Sequence, residues 1–236
     1  MSIYIISDLH LKQNDPEVFN QFKQFLKQIS NNKNTLYILG DFFEYWVGDD
    51  VEDLFSQSVI ALLKSATEHG LSVYFMHGNR DFLIGEIFAH KCGIQLIDDP
   101  FYLHWKNQSI CLMHGDLLCT DDTSYLHYRK IVQSSWFKWF FLNLPLRLRN
   151  KMANKMRIKS KNRNRYEINF DATEKGINHY ARECPIIIHG HTHKLAIHKH
   201  ANKLRYVLGD WHKDQYSYIQ INDHITLYNS GVMQNA

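Results

Sequence analysis

Thr35-Leu36-Tyr37-Ile38-Leu39-Gly40-Asp41-Phe42-Phe43-Glu44 is the stretch on which the reading of this chain turns. Leu36 to Leu39 reads as a short apolar strand, Gly40 ends it, and the carboxylate of Asp41 follows at once. Four other segments are punctuated the same way, with an apolar run and then side chains able to hold a metal ion. Ile3 to Ile6 precedes Asp8 and His10, and Val73 to Met76 precedes His77, Asn79 and Asp81. Ile110 to Met113 precedes His114 and Asp116, and Ile186 to Ile188 precedes His189, His191 and His193. A carboxylate or imidazole just past a buried strand lies at the carboxyl edge of a sheet, where α/β proteins assemble their sites. One such coincidence carries little; five in one chain indicate a common site centred on Asp41.

Working outward, the chain of 236 residues suits one domain with an insertion and a sizeable core. Hydrophobic residues at 44% and charged residues at 22% match an ordinary soluble globular protein. The four cysteines (Cys92, Cys111, Cys119 and Cys184) form no Cys-x-x-Cys pair, and Cys111 sits inside an apolar strand. Reduced, partly buried thiols of a cytosolic protein are expected. The amino terminus enters a strand directly and has no basic leading region, so no signal peptide is expected. No run approaches the roughly 18 apolar residues that a membrane span requires. The expected location is the cytoplasm, with room for a peripheral membrane contact.

The formal charge of +3 hides a division. Nine basic side chains, from Arg147 to Arg165, fall within nineteen residues that contain no acid; without them the remainder carries −6. The basic run ends a longer stretch, Thr123 to Arg165, that is helix-prone and has one proline, Pro145. Its first part is apolar and aromatic, including Trp136, Phe137, Trp139, Phe140, Phe141 and Leu142. It reads as a helical insertion on an α/β body. A packed subdomain with a solvated basic face, a nucleic-acid surface and a membrane-surface element are the three readings of it. The aromatic content favours the last.

Elsewhere, apolar spacing predicts helices over Pro16–Ile29, Val51–His69, Phe82–His90 and Asp171–Glu183. Strands are predicted over Ser2–Ile6, Thr35–Leu39, Ser72–Met76 and Ile186–Ile188, with a hairpin from Phe101–Trp105 and Ser109–Met113. Leu195–His198, Leu204–Leu208, Tyr216–Ile221 and Ile225–Tyr228 read as closing antiparallel strands. This alternation predicts a layered α/β fold. Phe42, Phe43, Tyr45 and Trp46 read as core.

Asp8-x-His10 projects a carboxylate and an imidazole to one side of an extended strand end, and His191-x-His193 does the same with two imidazoles. With Asp41, Asn79 and His114 they form a seven-member N/O donor set that suits Mn, Fe or Zn-like ions. Seven donors exceed the needs of one tetrahedral ion, whereas two ions sharing a carboxylate would use them all. Such a pair clamps a phosphoryl oxygen and activates water for in-line attack. His77, His189 and His198 read as cap or turn residues.

Asp8-Leu9-His10, Gly40-Asp41-Phe42-Phe43-Glu44, Gly78-Asn79-Arg80-Asp81, His114-Gly115-Asp116 and Gly190-His191-Thr192-His193 resemble the five blocks of the calcineurin-like metallophosphoesterases. That resemblance implies a two-sheet β-sandwich flanked by helices, with a dinuclear site at the sheet ends. It implies that Asp8, His10, Asp41 and His193 hold one ion, and Asp41, Asn79, His114 and His191 the other, with Asp41 bridging. Asp41, Asn79, Arg80 and His114 would be catalytic. Many members carry a histidine where this chain has Arg80; an arginine neutralises phosphate but does not supply a proton, so a good leaving group such as a phosphate is expected.

Within the family, Gly40–Asp50, Gly78–Leu83, His114–Asp122 and the insertion are most similar to the branch that hydrolyses UDP-2,3-diacylglucosamine in lipid A synthesis. That implies two Mn2+ ions, attack on the α-phosphorus, and an insertion serving as a lid over acyl chains. It implies substrate contacts from Asn79, Arg80, Asp122, Tyr125, Ser160, Asn164, Arg165 and His191. The expected partners are UDP-2,3-diacylglucosamine and the cytoplasmic face of the inner membrane, with no nucleic acid and no obligate protein. Alternatives are another dinuclear phosphodiesterase or nuclease, and a non-catalytic scaffold of the same fold.

Overall fold

A computed structural model describes residues 2–30, 33–166, 171–180, 182, 184–200 and 202–234, with the backbone alone for 157–166. Strands β1 (Ile3–Ile6), β2 (Thr35–Ile38), β3 (Ser72–Met76) and β4 (Gln95–Ile97) run parallel. Helices α1 (Pro16–Ile29), α2 (Leu54–Glu68) and α3 (Glu86–Cys92) connect them. A second sheet holds β5 (Phe101–Trp105), β6 (Gln108–Met113), β7 (Ile186–His189), β8 (Ala196–His200) and β9 (Lys203–Val207) in the order β5-β6-β7-β9-β8. Strands β10 (Ser217–Ile221), β11 (Ile225–Asn229) and β12 (Val232–Gln234) return to the first sheet, giving β12-β11-β10-β1-β2-β3-β4.

Strand alternation dictates the layers, because successive side chains face opposite ways. Leu36 and Ile38 join Val18, Phe22, Phe25 and Leu63 in a core beneath α1 and α2. Tyr37 and Leu39 point the other way and pack between the sheets with Leu112, Ile188 and Leu208. On the far side of the second sheet, Cys111, Met113 and Ile187 meet Leu118 and Ile177. Ile177 belongs to α7 (Glu174–Tyr180). The result is a two-sheet sandwich between helical layers. All four cysteines are buried.

Parallel registry brings the strand ends to one edge. Ile6 pairs with Ile38, Ile38 with Phe75, and Met113 with His189. The loops after β1, β2, β3, β6 and β7 therefore emerge together.

Boundaries differ from the periodicity where a side chain caps an end. Asp53 accepts from Ser56 N (2.9 Å), so α2 begins at Leu54 and not Val51. Asp49 accepts from Gly85 N and Phe88 N, which delays α3 to Glu86. β4 and β12 have three residues each, too few to show a period. β9 pairs antiparallel with β8 but parallel with β7, unlike the all-antiparallel closure expected of the carboxyl-terminal strands.

Residues 123–166 form α4 (Thr123–Val132), α5 (Ser135–Leu142) and α6 (Leu146–Tyr166). Trp136, Trp139 and Phe140 are more than half exposed on α5. Arg149 departs from the solvated basic face: it is 2% exposed, pairs with Asp50, and donates to Val47 O and Leu144 O. Among the described residues, no helix is long and apolar enough to cross a membrane.

Candidate metal centre

The loops at the shared edge are stitched to one another. Asp8 N donates to Gly40 O (3.1 Å), His10 N to Asp41 O (3.0 Å), and Gly190 N to His114 O (2.9 Å). Asp8, His10, Asp41, His191 and His193 all adopt positive φ, between 50° and 65°. For residues with a Cβ this left-handed conformation costs on the order of 1–3 kcal/mol each and persists only where the surroundings impose it. Glycines make the close crossings possible. A Cβ on Gly190 would lie 2.1 Å from Asp8 Oδ2, and one on Gly40, itself at φ 84°, 2.4 Å from Gly78 N.

The seven side chains singled out from the sequence converge. Asn79 Oδ1 lies 3.0 Å from both His114 Nε2 and His191 Nδ1. Asp41 Oδ1 is 3.8 Å from His114 Nε2, and Asp8 Oδ1 is 3.2 Å from His193 Nε2. His10 Nε2 faces His193 Nε2 at 3.4 Å. Among the described residues, donor atoms within 4.8 Å of one another form two groups, Asp8–His10–His193 and Asp8–Asp41–His114. Asp8 is the carboxylate common to both groups.

The donor set fits divalent cations. Asp8 and Asp41 are buried carboxylates facing imidazole nitrogens, a hard–borderline mixture. His114 Nδ1 is 2.8 Å from Leu39 O, so that nitrogen carries hydrogen and Nε2 is turned inward. His10 Nδ1 is buried without a hydrogen-bond partner among the described residues, leaving the ring aimed by its Nε2 alone.

Charge sets the ionisation of these groups. Burial would raise Asp8, but the imidazoles of His193, His114 and His10 hold it well below the usual range. Burial would lower His114, but the carboxylates of Asp41, Asp116 and Asp8 lift it to about 9. His191 is pushed down to about 4 by burial and then by His114. The site demands compensating positive charge at its centre.

Arg80 stands beside this cluster, with Nε 3.4 Å from Asp41 Oδ2 and Nη1 3.2 Å from Glu44 Oε2. Asp122 caps α4, accepting from Tyr125 N at 3.0 Å. The Tyr125 ring is 6.1 Å from that of His191, while its hydroxyl donates to Asp116 Oδ2 at 2.5 Å. Ser160, Asn164 and Arg165 lie on α6, and their side chains are outside the described residues. Of the histidines read as cap or turn residues, His77 Nε2 is 2.6 Å from Ile84 O and His189 lies between Gly190 O and Arg205, while His198 sits within β8.

Two residues, Arg129 and Asp210, passed unremarked in the sequence, and Asp81 stood there only among the side chains able to hold a metal ion. Asp81 accepts from Gly78 N (2.8 Å) and Phe42 N (2.7 Å), locking two site loops together. Arg129 joins Asp116 and Asp99. Asp210 lies 3.6 Å from His193 Nδ1, a position that orients this ring. Its signal was available, because Val207-Leu208-Gly209-Asp210 repeats the strand–glycine–aspartate punctuation of Ile38-Leu39-Gly40-Asp41.

Comparison with known proteins agrees with this architecture. The model for calcineurin-like phosphoesterases matches residues 1–195. A UDP-2,3-diacylglucosamine hydrolase of Haemophilus influenzae (strain PittGG) is 40% identical, covering 93% of this chain and 94% of the relative. Another of that name from Pseudomonas fluorescens (strain Pf0-1) is 38% identical, covering 94% and 92%. The solved Vacuolar Protein Sorting 29 of Cryptosporidium parvum shares the fold, with TM-score 0.50 at 16% identity over 99% of this chain and 94% of that one. The chain belongs to the calcineurin-like phosphoesterase family.

Proposed function

We propose that this chain hydrolyses the pyrophosphate bond of UDP-2,3-diacylglucosamine, releasing UMP and 2,3-diacylglucosamine 1-phosphate, the lipid X of lipid A synthesis. The observation that carries the reading is Arg80, held by Asp41 and Glu44 at the rim of the convergent donor set. Relatives of that activity at about 40% identity over most of the chain support the same substrate.

Asp8, His10, Asp41 and His193 would hold one divalent ion, and Asp41, Asn79, His114 and His191 a second, Mn2+ being the metal proposed. Bound there, such ions supply electrostatic activation of water and charge neutralisation on the phosphoryl oxygens. Arg80 binds the pyrophosphate and stabilises charge on the departing sugar phosphate, which needs no proton at neutral pH. Water adds across the α-phosphorus–oxygen bond, its oxygen ending on UMP. Asn79 and His191 orient the phosphate, and Asp122 and Tyr125, at the start of α4, flank it on the insertion side. Ser160, Asn164 and Arg165 complete the substrate contacts.

Residues 123–165 act as a lid for the acyl chains and as a contact with the cytoplasmic face of the inner membrane. Exposed Trp136, Trp139 and Phe140 enter the interface, and the basic run meets anionic lipid, at about 1 kcal/mol for each basic residue near the surface.

The test is an assay of the purified chain with Mn2+ on UDP-2,3-diacylglucosamine in detergent, with Asp41→Asn and His114→Ala alongside. Release of UMP and the acylated sugar 1-phosphate, lost in both variants, is expected. Cleavage of a generic phosphodiester without that release would move the chain to another phosphoesterase activity.

A further inference from the structure

One arginine of the insertion reaches the body of the protein beside the candidate centre without entering it. Arg129, on α4, donates from Nε to Asp116 Oδ2 at 2.7 Å and from Nη2 to Asp99 Oδ2 at 3.1 Å. The same oxygen of Asp116 accepts the Tyr125 hydroxyl at 2.5 Å. The other oxygen of Asp99 accepts the backbone N–H of His114 at 3.4 Å. The carboxylate side chains are 8% (Asp99) and 1% (Asp116) exposed, and neither lies in the two donor groups at the centre. Removing the guanidinium would leave two buried carboxylates without their shared cation, a strongly unfavourable arrangement. An arginine fork can serve both at once; a lysine offers one compact charge.

We infer that Arg129 is a positioning residue: through Asp99 and Asp116 it fastens α4 to the loop carrying His114, so that this imidazole and the Tyr125 ring beside His191 are held by one linkage. The inference rests on the reading of His114 as a metal ligand. Arg149 provides the contrast. It fastens α6 to the body through Asp50 and Val47 O, neither of which is a candidate ligand.

The experiment measures Mn2+ binding to the full chain by titration calorimetry, together with thermal unfolding, and needs no substrate. Arg129→Lys and Asp99→Asn are each expected to weaken Mn2+ binding by roughly 10- to 100-fold, the usual effect of disturbing residues that orient ligands. The double variant is expected to be no weaker than the weaker single one, because both cut the same linkage. Arg149→Lys is expected to lower the unfolding temperature while keeping Mn2+ affinity within about twofold of wild type, because no candidate ligand hangs on it. Wild-type affinity in Arg129→Lys, an equal loss in Arg149→Lys, or fully additive losses would each overturn the inference. Should Arg129→Lys fail to fold, Asp99→Asn decides, since it keeps an acceptor for His114 N–H while removing the ion pair. A wild-type chain that bound no Mn2+ would overturn the metal reading and the inference with it; normal wild-type binding with an unaffected Asp99→Asn would overturn the inference alone.

Discussion

Gly78 and Asp41 share a space that admits no methyl group: a Cβ on Gly78 would sit 2.2 Å from Asp41 N and 2.3 Å from its Oδ1. Gly78→Ala should therefore push Asp41 out of line with His114. Overpacking of this kind costs typically 1–3 kcal/mol, and a displacement of about 1 Å at a reacting centre can cost on the order of 100-fold in rate. Calorimetric unfolding and steady-state kinetics on the variant measure the two effects. Full activity would show that Asp41 tolerates displacement.

Arg80 is gripped by Asp41 and Glu44, so its contribution should depend on fork geometry as well as charge. Arg80→Lys should lower kcat/KM by roughly 100-fold, in the range found for losing one preorganised donor. Glu44→Gln should give a smaller loss in the same direction, by freeing the guanidinium. An Arg80→His variant as active as wild type would remove the charge-stabilising role.

His189 is a buried imidazole whose tautomer is dictated by its neighbours. Arg205 Nη1 can only donate, so Nε2 accepts at 3.2 Å and the Nδ1–H is given to Gly190 O at 2.8 Å. Burial first, and Arg205 as well, push its pKa down to about 3. The unfolded chain, with an ordinary histidine, takes up a proton below about pH 6.5 while the folded chain does not, so stability falls as pH falls. Denaturant titrations of metal-free protein should lose about 2 kcal/mol between pH 7 and pH 5 from this residue. His189→Gln, which can keep both hydrogen bonds, should show a shallower decline.

Trp136 and Trp139 are 64% and 69% exposed on α5. Trp136→Ser with Trp139→Ser should leave stability within about 0.5 kcal/mol, as surface changes usually do. Sedimentation with anionic vesicles should nevertheless show affinity down by at least roughly tenfold, since each ring would bury an apolar surface worth about 1.5–3 kcal/mol. Unchanged vesicle binding would detach α5 from the membrane.

The core gives a separate check. Phe22 is fully buried, 5.2 Å from the ring of Phe42, the residue after Asp41. Phe22→Ala should cost about 3–5 kcal/mol through the cavity it leaves, read as a fall in the denaturation midpoint.

What the residues alone disclosed was local chemistry and its repetition. Strand period, the glycine after four of the five apolar runs and the donor side chains beside them are properties of neighbouring residues, and they named the layered α/β fold and the side chains that converge at its edge, while the two-sheet sandwich came from the family resemblance. Phe42, Phe43 and Trp46 likewise read as core and are buried. Only the tertiary structure decided what depends on partners far along the chain. Asp49 sets the start of α3 from 36 residues away. Arg149 leaves the basic run to pair with Asp50, 99 residues distant. Arg129 finds Asp99, and β9 turns parallel to β7 and brings Asp210 to His193. A buried charge is stable only beside its counter-charge, and which counter-charge it meets is settled by how the layers pack.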